Sequence, residues 1–74
     1  MKLTCKYGTN ITKVVEVKPT DPLYILLEKL KISDKSSKFI YNGITRDIAS
    51  ILTFQDIGLT SDVRLAIINQ GISG

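Results

Sequence analysis

One apolar stripe constrains this chain more than any other feature: Leu23, Leu26, Leu27 and Leu30 recur at spacings of three and four, the period of a helix with one buried face. Thr20-Asp21-Pro22 stands just before it. Asp21 is placed to cap free backbone N–H groups and Pro22 to open the first turn with its φ already set, so a helix is predicted over 22–32. Tyr24, Glu28 and Lys31 fall away from the centre of the stripe. So short a helix must bury its leucines against something else, and the sequence on both sides of it alternates like strands.

Residues 1–7 and 11–18 read as two strands around the polar turn Tyr7-Gly8-Thr9-Asn10. Met1, Leu3 and Cys5 should face inward with Val15 and Val17, and Lys2, Thr4, Lys6, Glu16 and Lys18 outward. Lys13 falls on the inward parity, which predicts a place near the hairpin mouth or beside a bulge. Ser33–Ser37 lacks periodicity and is the return loop. A third strand over 38–42 leads into Asn42-Gly43, a strong signal for a type I′ hairpin turn, and a short fourth strand follows. Thr53 with Asp56 three residues on resembles a capping box around a single turn, Gly58 suits a left-handed cap, and a last strand spans 62–68. No core pattern continues into residues 69–74, expected to be a flexible tail. The fold class is therefore α+β, a mixed sheet of about five strands over one helix, with the last strand beside the first.

Composition narrows the functions open to such a domain. Seventy-four residues allow one small unit with one core. No apolar run approaches the roughly 20 residues of a membrane span, and no secretory signal pattern opens the chain, so no membrane association is expected and the cytoplasm or nucleus is the expected setting. Cys5 is alone and the chain has no histidine, which argues against a cysteine nucleophile and leaves Cys5 as a small core hydrophobe. The net charge of +3 comes from scattered basic residues, densest at Lys29, Lys31, Lys35 and Lys38, without the aromatic-and-basic motif of a nucleic-acid reader. No metal cluster, cofactor loop or paired catalytic carboxylates can be read, so neither enzymatic activity nor a cofactor is expected.

Lys6, Glu16-Val17, Pro19, Asp21, Lys29, Gly43, Leu52, Ile57, Ser61 and Leu65, taken in this order of elements, resemble the ubiquitin family. The likeness runs without a gap from Met1 to about Leu30 and resumes at Lys38 after a shorter loop. It implies a β-grasp fold over residues 1–68, with Pro19 and Gly43 setting turns and Val17, Leu52, Ile57 and Leu65 filling the core.

The resemblance also implies where partners would bind. The family is read through an apolar patch whose positions here hold Gly8, Ile40, Arg64 and Ala66, so only the isoleucine is kept. Ile40, Ile44, Ala66 and Ile68 are expected to form one shifted apolar surface, rimmed by Lys38 and Arg64. The expected partners are proteins of the ubiquitin system, met by a monomer, and the domain is expected to be one unit of a longer precursor or multidomain protein. The alternative is a modifier joined to target lysines through its C-terminal glycine. Gly71 and Gly74 are the residues for it, yet Ile72 replaces the second glycine of the family's pair and Ile68 an arginine used in activation. Lys6 and Lys29 keep family lysine positions and are the acceptor lysines implied, whereas the two most used linkage positions hold Ile44 and Leu59.

Overall fold

A computed structural model describes residues 1–8 and 10–68. β1 (Lys2–Tyr7) and β2 (Ile11–Glu16) form an antiparallel hairpin with an unbroken register, from Lys2 opposite Glu16 to Tyr7 opposite Ile11. At its turn Gly8 has a φ of +68°, a conformation that strains any residue with a Cβ. Lys13 needs no bulge. It lies opposite the buried Cys5 in an intact ladder and is itself exposed, because β2 is an outer strand and a long side chain there can pass the rim of the core.

β3 (Lys38–Tyr41) and β4 (Ile44–Asp47) form the second hairpin. Its turn residues, Asn42 and Gly43, have φ of 55° and 78°, the paired positive values of a type I′ turn. β5 (Val63–Ile68) lies between the hairpins, parallel to β1 and antiparallel to β3, giving the strand order β2-β1-β5-β3-β4. With one helix packed on this mixed sheet, the architecture is α+β and β-grasp-like.

The regular helix α1 is shorter than its leucine stripe, Ile25–Lys29. Its approach is tightened: the N–H groups of Ile25, Leu26 and Leu27 bond carbonyls three residues back, at 3.0, 3.1 and 3.0 Å, a 3₁₀ pattern. Asp21 does not cap it. The Asp21 carboxylate accepts the Lys18 N–H at 2.9 Å, and the free N–H groups of Leu23 and Tyr24 go instead to the carbonyls of Leu52 (2.7 Å) and Ser50 (3.2 Å). A neighbouring backbone segment has replaced the side-chain cap. At the other end Lys31 takes a φ of 56°, and the bonds Lys31 N–H to Glu28 and Ile32 N–H to Leu27 make a Schellman closure with lysine where glycine is usual.

Leu3, Cys5, Leu26, Phe39, Ile48, Phe54 and Leu59 are fully buried in one cluster with Val17, Leu23, Leu30 and Leu65. Burying one leucine stabilises a fold by about 1.5–3 kcal/mol, so the stripe is a large part of what holds this domain together. Leu52, expected in the core, is 47% exposed: its carbonyl is committed to the start of the helix and Phe54, two residues on, fills the interior. Ile57 is half-buried at the core's edge. The capping box forms as expected, with Thr53 N–H on Asp56 Oδ2 at 2.9 Å and Asp56 N–H on Thr53 Oγ1 at 3.2 Å, and Gly58 closes the turn at a φ of 79°. No helix among the described residues is long and apolar enough to cross a membrane.

Candidate functional site

Residues directly paired across a ladder point to the same side of a sheet, so the register alone assembles the face away from α1. Thr12, Lys6, Ala66, Ile40 and Thr45 are paired in succession and make one row across all five strands. Val14, Thr4 and Arg64 make the next row, while Lys38 stands between Ile68 and Asp47. A shallow depression of about 440 Å³ opens over the centre, lined by Thr4, Lys6, Thr12, Ile40, Arg64 and Ala66. Its floor is the apolar pair Ile40 and Ala66, and its rim carries the cations of Lys6 and Arg64.

The expected site residues divide on this geometry. Ile40 and Ile68 are half-buried and Ala66 and Arg64 exposed on one face, as parity requires. Ile44 does not join them. It pairs with Tyr41, whose parity is that of the buried Phe39, so Ile44 belongs to the helix face; it stays 50% exposed because it sits beside the hairpin turn, at the rim of the core. Gly8 is exposed in the β1–β2 turn, and Lys29 is exposed at the end of α1. Gly71 and Gly74 lie outside the described residues.

Thr4, Thr12 and Lys6 are members of the face that sequence reasoning did not assign to it. Strand parity had already turned Thr4 and Lys6 outward; the parallel pairing of β1 with β5, which sets Thr4 beside Arg64 and Lys6 beside Ala66, completes the site.

The face is basic and chemically quiet. Lys38 is ion-paired with Asp47, an exposed contact of a kind that contributes about 0–1 kcal/mol. Asp62 accepts the Lys2 N–H at 2.8 Å, which anchors the start of β1 beside β5. On the other side of the sheet, burial pushes the Cys5 thiol up to about 11, so it stays protonated near neutral pH. Asp56 is held below the usual carboxylate range by the Thr53 backbone and hydroxyl, and Asp34 by its contacts with Ser36. The two carboxylate shifts arise from local turns away from the face.

No protein-family model matches the chain, and no curated protein matches it.

Proposed function

We propose that this chain is a divergent ubiquitin-like protein-interaction module, without enzymatic activity, that presents the outer face of its sheet to proteins of the ubiquitin system in the cytoplasm or nucleus. The observation that carries this reading is the pairing of Ile40 with Ala66 at the centre of the outer face, with Ile68 on the same side, flanked by Lys6 and Arg64. An apolar floor with a basic rim suits a partner with an apolar contact edged by carboxylates, and the cations favour encounter with an acidic surface. Arg64 and Gly8 in place of the family's histidine and leucine make weak binding to receptors built for those residues the expected behaviour.

The test is a two-dimensional NMR titration with a ubiquitin-receptor protein. The resonances of Ile40, Ala66, Arg64, Ile68 and Lys6 should move together. Shifts confined to the helix side around Tyr24 and Glu28 would overturn the assignment of the face.

A further inference from the structure

A second feature lies around the edge of the sheet from that face. Arg46 pairs with Phe39, which is fully buried, so an arginine occupies the helix-side parity of β4. The residue is half-buried, and its Nε is sealed from solvent with no hydrogen-bond partner. Among the described residues its guanidinium makes no ion pair; Asp47, the next residue of the strand, has the opposite parity and is paired with Lys38 on the outer face. Buried polar groups nearly always find a partner, and an orphan on the most polar of side chains calls for a cause.

The surroundings supply one. Arg46 lines a groove of about 580 Å³ between β4 and residues 49–52, together with Leu23, Asp47, Ser50, Ile51 and Leu52. Ile51 is 85% exposed there and Leu52 47%, an apolar wall with nothing on it among the described residues. β4 has a strand on one side only, so the groove is open along the free edge of the sheet. An anion is the complement of an unpaired guanidinium. Asp47 is already neutralised by Lys38, which also lines the groove, so the guanidinium is the groove's uncompensated charge. A carboxylate matches the forked donors of arginine, and the apolar wall of Ile51 and Leu52 suits one carried on a peptide with apolar neighbours rather than a free inorganic anion.

We propose that this groove receives an Asp or Glu side chain from an acidic, apolar-flanked segment of a partner protein, with Arg46 as the anchor for its carboxylate and Ile51 as the wall for its neighbours. Binding would draw the guanidinium toward the groove and give its unsatisfied Nε–H an acceptor. The groove borders the outer face, sharing Lys38, Thr45 and Asp47 with its margin, but its anchor Arg46 and its wall Ile51 are not part of the proposed receptor surface around Ile40 and Ala66.

The 74-residue chain is titrated at low salt with acetyl-Leu-Glu-Leu-amide, its Gln counterpart and inorganic phosphate, following the Arg46 Nε–H resonance and the amides of Ser50 and Ile51. The glutamyl peptide should shift all three saturably, and the glutaminyl peptide should bind at least about tenfold more weakly, the loss of one charge-assisted hydrogen bond. Arg46→Lys should weaken binding and Arg46→Met abolish it, while Arg46→Met melts no lower than the parent because it removes an orphan donor. The proposal is overturned if no saturable shift appears, if the Gln peptide binds equally, if phosphate binds better, or if the shifts centre on Lys6 and Arg64. If Arg46→Met does not fold, the Arg46→Lys titration decides.

Discussion

On the face of the sheet that carries α1, Leu3, Cys5, Phe39 and Leu65 are almost wholly withdrawn from water; on the opposite face Lys6, Arg64 and Ala66 stay exposed and Ile40 and Ile68 are half-covered. The same strands furnish both sets, one residue apart. The inner face is closed by the helix and by Phe54 and Leu59, so its side chains are constrained by volume. The outer face has no covering element among the described residues and can vary without cost to the fold. That difference lets a β-grasp-like framework of this kind be held by its inner face while the residues of its outer face vary.

If this contrast is right, substitutions should separate by face. Leu26→Ala, in the fully buried stripe, should destabilise by about 2–5 kcal/mol, read by thermal or denaturant melting. An unchanged melt would remove the distinction at its strong end. Lys31→Gly concerns the cover of the inner face and not its packing: lysine is held at a left-handed φ where glycine is at ease, so the change should stabilise by about 0.5–1 kcal/mol. A loss of stability would mean that Lys31 contributes contacts that outweigh backbone strain. Ala66→Glu, on the open face, should move stability by less than about 0.5 kcal/mol yet erase the receptor-induced NMR shifts at Ile40. A larger loss of stability than for Leu26→Ala would reverse the roles of the two faces.

Much of this framework was legible in the sequence because its signals are local. Asn42-Gly43 needs only two neighbouring φ angles, Thr53 and Asp56 bond each other across a single turn, and alternation alone turned Ile40 outward and Phe39 inward. The misreadings arose where a distant segment intervenes. Asp21 looks like a cap until the carbonyls of Ser50 and Leu52 are brought to the start of the helix, which also carries Leu52 out of the core. Ile44 was grouped with Ile40 by nearness and hydrophobicity, but a two-residue turn sets it opposite Tyr41 and hence on the other side. Arg46 could be placed on the helix side by the same parity; that its Nε is sealed there without a partner depends on which distant segments pack around it, which no single segment encodes.

The parallel pairing of β1 with β5 also bears on how the domain would respond to tension. The strand that opens the fold and the strand that closes it lie side by side, joined from Leu3 beside Val63 to Lys6 beside Ala66. Force applied at the first residue of β1 and the last of β5 would slide these strands past one another, straining all the hydrogen bonds of that ladder at once. Force applied through β2 or β4, each with a single neighbour, would peel the sheet one bond at a time. The domain is thus stiff when pulled along its own chain and yielding when pulled from its margins, so the point of attachment decides whether it transmits a load or comes apart under it.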